Sequence, residues 1–467
     1  MESMPGEPPL SCRAVRLRET LFPEAPQGER RAPRWELGGV LAAFLVLGTA
    51  LALMRLGFSA SVNTLWAEDG PVYLQGALTQ GFFHDVFAPY AGYLVVGPRL
   101  VAEVATLVPL DQAAAAITVL SAFLAAVSAL AVWVGCGGHV HNPYLRLGLA
   151  AATLLSVTAG QETVLSAAYL PWYMLFGTFW LLFWRPRTLG GGAAGGLFLL
   201  GTGLSTPGVW FFMPVALLRA ATAREARDWT LLGPYFLGAL VQIPVMLAQQ
   251  QGDSLWTSHI WTAYLQRVLV GGLLGEKLAG NLWVDLGWTL LIVALVLLVV
   301  GFAWRLWTGP AGARWFGVIG VLTSLVMFVF STYSREVGEY IYLRSGIEGA
   351  PSGRYVMVPA LIFLSVVVVL VDYAVRGREG WLKEYLPVGV TMAMIALAII
   401  TSYDVREPES RGRPYWDEAL KAAATKCVKE DEETAGIPIS PEPWGVQLPC
   451  EQVASYAETT RTPAAQR

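Results

Sequence analysis

Apolar residues fall in long, nearly unbroken runs separated by short polar turns, and this alternation dominates the chain. The runs lie near 37–58, 94–109, 113–135, 145–159, 165–184, 193–204, 208–219, 231–248, 287–305, 316–332, 355–371 and 386–402. Most approach about 20 residues, the length at which an α-helix crosses a hydrocarbon core of about 30 Å. The pattern predicts an all-α polytopic membrane protein with about 11 to 13 transmembrane helices. Runs 193–204 and 208–219 are short, and Ser205-Thr206-Pro207 breaks the chain between them, so tilted or broken helices are expected there. The 94–109 run carries Arg99 and Glu103 between Pro98 and Pro109 and is expected to be bent or partly re-entrant.

The polar segments set the orientation. Residues 1–35 are rich in Pro and Arg and read as a disordered tail. Arg13, Arg16, Arg18, Arg30, Arg31 and Arg34 precede the first span, so this tail is expected in the cytoplasm, and it does not read as a signal peptide. Arg185 and Arg187, then Arg219, Arg224 and Arg227, then Arg305 and Arg314, then Arg376, Arg378 and Lys383 mark further cytoplasmic turns. Segments 249–286, 333–354 and everything after 402 are then outside. Cys427 and Cys450 agree: both lie in the polar C-terminal tail, and a disulfide between them needs an oxidising compartment. The apolar runs are even in number, whereas these two arguments require an odd number of crossings. Taking 94–109 as a partial crossing leaves about 11, and a further crossing beyond these runs is the alternative.

Composition narrows the class. The 467 residues are 55% hydrophobic and 14% charged, against roughly 25% charged in soluble domains. A net charge of −3 with dispersed basic residues gives no footprint for nucleic acid. Basic residues are mostly Arg, beside abundant Ala and Gly, which points to a GC-rich bacterial genome. Within the tail 403–467, Asp417–Lys429 predicts a short helix and Ile437–Cys450 an extended segment.

Candidate chemistry gathers in the outside segments. Asn63–Tyr93 (NTLWAEDGPVYLQGALTQGFFHDVFAPYAGY) opens with Trp66 and the acids Glu68 and Asp69, then gives a Gly-Pro break, amphipathic runs and a Tyr-rich turn. Either acid could cap a helix starting at Pro71. Alternatively one serves as general base for an acceptor hydroxyl, with Asp69 favoured. Glu162, after the run at 145–159, is either a solvated helix end or a second carboxylate facing the first. Arg354-Tyr355 begins a late span as an anchoring pair or a phosphate clamp, with Arg335, Arg344 and Lys277 as competitors. Tyr90, Tyr93, Trp66, Trp172 and Tyr173 suit an interface belt or a sugar-stacking wall. Cys136, His139 and His141 match no zinc spacing. Gly190–Gly196 (GGGAAGG) lacks the lysine of a phosphate loop and reads as a turn into a closely packed helix.

The wording WAEDG-x-VYLQGAL…G-x-x-x-DVFAPYAGYL, a span before it and a second acid after the fourth run resemble bacterial members of the GT-C superfamily of membrane glycosyltransferases. The likeness covers about the first 180 residues best. It implies transfer of a sugar from a polyprenyl-phosphate donor to a cell-envelope glycan, glycolipid or protein, with inversion. It also implies amphipathic helices in the first extracytoplasmic loop. Glu68 or Asp69 would be the base, Glu162 a second acid, Arg354 the lipid-phosphate contact, and Tyr355, Tyr90 and Tyr93 substrate neighbours. A divalent cation (Mg or Mn) assists some members. The order Glu-Asp-Gly, where other branches carry Asp-Glu or Asp-Asp, leaves open which acid acts. A multi-span transporter or flippase is the competing class.

Overall fold

The computed structural model describes residues 12–26, 34–155, 158, 166–248, 259–334, 353–378, 380–403, 415–430 and 432–454. Among these residues the fold is all-α apart from two small antiparallel hairpins, Pro89–Tyr90 with Tyr93–Leu94 and Thr434–Pro438 with Gly445–Pro449. Among the described residues six helices are long and apolar enough to cross a membrane, and Gly38–Leu53, Pro143–Leu155, Leu170–Phe183, Leu189–Gly203 and Pro207–Thr222 are shorter apolar helices.

Helix Gly353–Val375 is the axis of the bundle. Its span window is 83% buried, as expected of a helix apolar on every face. Trp288–Arg305 is about as apolar yet only 6% buried, so most of its surface faces outward. Where helices come closest, glycine permits it. A Cβ on Gly196 would lie 2.1 Å from the Thr230 carbonyl oxygen, and one on Gly203 2.8 Å from the Gly238 Cα. The glycine-rich stretch therefore packs Leu189–Gly203 against Ala226–Ala248 backbone to backbone.

The 94–109 run forms only the ten-residue helix Val96–Ala105, about 15 Å long and too short to cross alone. Its buried Arg99 pairs with Asp85 of the preceding loop at 2.5 Å and donates from Nε to the Ala88 carbonyl at 2.9 Å. That loop carries the short helices Phe58–Val62, Gln75–Thr79 and Phe82–Val86.

One expectation is corrected. Part of the supposed disordered tail, Cys12–Leu21, is a helix packed between Met213–Thr222 and Ala311–Ser334. Leu21 and Phe22 are buried in the main core, and Arg18 reaches Asp228 at 2.7 Å, which also accepts from Arg219 at 3.3 Å. Apolar residues at the end of this segment give it a surface to bury, and Asp228 and Glu225 pair with Arg18, which composition alone assigned to solvent.

The C-terminal tail is also folded. Helix Trp416–Glu430 is tied to the Thr434–Pro449 hairpin by the Cys427–Cys450 disulfide. Its Trp416, Leu420, Ala435, Ile437, Ile439, Val446 and Leu448 share an apolar cluster with Leu65, Leu74 and Val101.

Candidate functional site

The first loop folds as a 3-10 turn, Ala67–Asp69, running into a π-helical turn, Gly70–Leu74. Ala67 sits at φ +44°, a left-handed conformation that costs an alanine about 1–2 kcal/mol. Its N–H donates to the Ser440 carbonyl at 2.6 Å, and Ser440 N–H returns to Leu65 at 3.3 Å, holding it there.

This turn sends the two acids in different directions. Asp69, 2% exposed, reaches across the fold to residues 166–168. Oδ1 accepts from Ser166 Oγ and Ala168 N–H, both at 3.0 Å, and Oδ2 accepts from Ala167 N–H at 3.3 Å. Burial pushes its carboxyl up to about 7 against the pull of these donors, with neighbouring Glu68 raising it further. It makes no side-chain cap on the turn that starts at Gly70, so the capping reading does not describe it.

Glu68 is half-buried and accepts a hydrogen bond at Oε2 from the Tyr169 hydroxyl at 3.2 Å. The same Tyr169 oxygen accepts from Arg354 Nη1 at 2.9 Å. The Arg354 guanidinium lies 5.3 Å from the Tyr169 ring centroid and 5.1 Å from that of Tyr355. A single hydroxyl thus links a carboxylate from the first loop to a cation in the first turn of the central helix.

Tyr355 packs edge-on against Trp172 at 5.5 Å between ring centroids. Tyr90 and Tyr93 are paired across a two-residue turn whose Ala91 (φ 50°) and Gly92 (φ 92°) both take the positive values that such a turn needs. Tyr90 meets Tyr73 edge-on at 6.3 Å. Burial drives the Tyr73 phenol well above its usual range, and Tyr93, Glu68, Asp69 and Tyr90 push the same way, so these groups share one neighbourhood.

The structure joins Glu68 to Arg354 through Tyr169, sets Tyr355 against the Arg354 guanidinium, commits Asp69 to residues 166–168, and packs Tyr90 and Tyr93 with Tyr73. Glu162, Arg335 and Arg344 lie outside the described residues, and Lys277 is exposed. Sequence reasoning missed Tyr169 and Ser166. Their signal was slight: two hydroxyls in SAAYLPWY, just ahead of the proline at a helix start.

The divalent cation is tested by the donor set. Among the described residues no three His, Cys, Asp or Glu side chains converge. Both Asp69 oxygens are engaged by N–H and O–H donors, and Asp85 by Arg99. Cys136 and His139 are separately buried, with His139 Nε2 bonded to the Leu21 carbonyl at 2.9 Å.

No family model and no curated protein matches the chain. Two solved structures of the Archaeoglobus fulgidus oligosaccharyltransferase are similar to it. The complex with Zn and sulfate shares 13% identity at a TM-score of 0.37, covering 83% of this chain and 56% of that one. The form tethered by a disulfide bond to an acceptor peptide containing the NVT sequon shares 12% at 0.34, covering 85% and 58%. The chain thus spans little more than half the length of those structures.

Proposed function

We propose that this chain is an inverting membrane glycosyltransferase of GT-C architecture. It moves a sugar from a polyprenyl-phosphate donor to a hydroxyl of a bacterial cell-envelope glycan, glycolipid or protein. The transmembrane region is 36–402, with the N-terminus in the cytoplasm and the acid pair and C-terminal segment outside.

The observation that carries this reading is the Glu68–Tyr169–Arg354 link. Glu68 is the half-exposed acid with a protonatable oxygen toward Tyr169, whereas Asp69 is committed to residues 166–168. Glu68 therefore takes the acceptor hydroxyl proton as that oxygen attacks the anomeric carbon, and the bond from that carbon to the phosphate oxygen breaks. The lipid phosphate leaves as an anion beside Arg354, whose charge persists at any working pH. Arg354 stands in the first described turn of Gly353–Val375. One displacement inverts the anomeric centre. Asp69 positions the 166–169 turn that carries Tyr169. Tyr355, Tyr90 and Tyr93 border the sugar.

The test is glycosyl transfer in membranes holding wild type, Glu68→Gln, Asp69→Asn or Glu162→Ala, offered a panel of polyprenyl-phosphate sugars and an envelope extract. Expected is donor consumption by wild type and its loss in Glu68→Gln at normal expression. If well-folded wild type consumes no donor, the reading fails, and flux across proteoliposomes examines the transporter or flippase.

A further inference from the structure

We infer that the C-terminal unit, 415–454, is a positioning element of the site: its hairpin connection clamps the backbone that aims the acid pair. This rests on the transferase reading only for its consequence in catalysis; the clamp itself is geometric.

The contacts run along the first half of the loop, from Asn63 to Gln75. Asn63 Nδ2 donates to Asp417 Oδ1 at 2.6 Å, Asp417 N–H donates back to Asn63 Oδ1 at 3.1 Å, and Trp416 N–H donates to the Asn63 carbonyl at 2.9 Å. Ser440, 2% exposed, forms a parallel bridge with Trp66 and receives the Ala67 N–H. Gln447 N–H donates to Gln75 Oε1 at 2.8 Å. Trp444 packs on the cluster of Trp66, Ala67 and Tyr169.

Two features show that the fit constrains the acids. Gly70 directly follows Asp69, and a Cβ there would lie 2.5 Å from Ile439 Cδ1 and 2.7 Å from Val446 Cγ2, so the unit seats against the acid-bearing backbone. Ala67 directly precedes Glu68 in a conformation that alanine avoids in a free loop, and its N–H is held by Ser440. Released from that partner, Ala67 relaxes toward negative φ and swings both carboxylates away from Tyr169 and Ser166. The clamp is itself anchored. Cys450 carries the disulfide to Cys427, and its N–H donates to the Glu433 carbonyl at 2.9 Å, closing the hairpin base opposite the Ser440 end.

The experiment uses the full chain in lipid nanodiscs. Wild type is compared with Cys427→Ser/Cys450→Ser, and with the same pair carrying Ala67→Gly. Amide hydrogen exchange is followed by peptide, beside kcat and donor KM. Expected on loss of the disulfide is a rise in exchange at Ala67 and Asp69 of about tenfold, with the Leu170–Phe183 helix unchanged. The kcat falls by about tenfold while KM moves by less than about twofold. Ala67→Gly then restores part of kcat, because glycine takes positive φ without the clamp; a merely structural role gives no such rescue. If the cysteine pair fails to fold, reversible phosphine reduction of folded wild type supplies the same comparison. Faster exchange across Thr434–Pro449 with Ala67 unchanged overturns the clamp. Should Ala67 respond while wild type transfers no sugar, the clamp stands and the transferase reading falls.

Discussion

In the proposed transfer Tyr169 is the residue that joins base to cation, because its hydroxyl both accepts from Arg354 and donates to Glu68. Tyr169→Phe keeps the ring beside the guanidinium and removes that link. We expect kcat to fall by about 100- to 1000-fold at normal expression, the range for removing one positioned hydrogen-bond donor at a charged site. Transfer at wild-type rate would remove Tyr169 from the mechanism. Asp69 makes a different prediction. Its folded carboxyl titrates at about 7 against an ordinary 3.8, so the folded state holds the proton more tightly than the unfolded one. Its contribution to stability is fully present below about pH 4 and is lost as pH rises through about 7. Thermal unfolding from pH 4 to 8 should show wild type losing stability across that window and Asp69→Asn losing less; parallel curves would contradict it. Neither role was visible in sequence. A tyrosine at a membrane boundary reads as interface belt, and Asp69, favoured from sequence as the base with capping as the alternative, reveals its commitment only through partners 97 to 99 residues away.

Among the elements, the apolar runs were legible because period and length report helices directly: 113–135 became Ala113–Gly135 and 355–371 became Gly353–Val375. What each helix faces was not legible. Gly353–Val375 and Trp288–Thr308 are comparably apolar, yet one is the core and the other lies at its edge, since a lipid-facing side chain and a core side chain are chemically alike. The Val96–Ala105 helix shows what an internal charge does. Arg99 looked like an obstacle to a span, and the structure spends it on Asp85 inside the first loop. Removing one partner leaves a buried charge alone, so Asp85→Ala should destabilise by about 3–5 kcal/mol. Asp85→Ala with Arg99→Met should cost less than Asp85→Ala by itself, because the pair is removed together. Additive losses in detergent unfolding would show that the two charges are not coupled. The docking of the C-terminal unit was equally hidden, because its contact at Ala67 is main chain to main chain and leaves no side-chain signature.

At the scale of the whole molecule, two long connections measure how far apart the polar groups lie. Gly353–Val375 carries Arg354 at its start and Asp372 near its end, where Asp372 accepts from Asn142 N–H at 2.8 Å and from Arg376. Its 23 residues span about 34 Å, close to the thickness of a hydrocarbon core. Leu170–Phe183 starts beside Tyr169 and ends at Phe183, whose ring meets Phe22 just after the N-terminal helix. The acid pair, Arg354 and the C-terminal unit therefore occupy one end of the bundle. The N-terminal helix with Arg18, Arg185, Arg219 and Arg376 occupies the other, as the arginine bias of the turns requires if that end is cytoplasmic. Exposed Glu19 and Lys429 sit on these two ends. In intact cells a membrane-impermeant maleimide should label Lys429→Cys, and should label Glu19→Cys only after permeabilisation. Labelling of both positions from the same side would contradict a bundle that spans the membrane between them. Reversed sidedness would leave the fold intact but bring the acid pair to the cytoplasmic face, where an envelope acceptor outside the membrane cannot reach it.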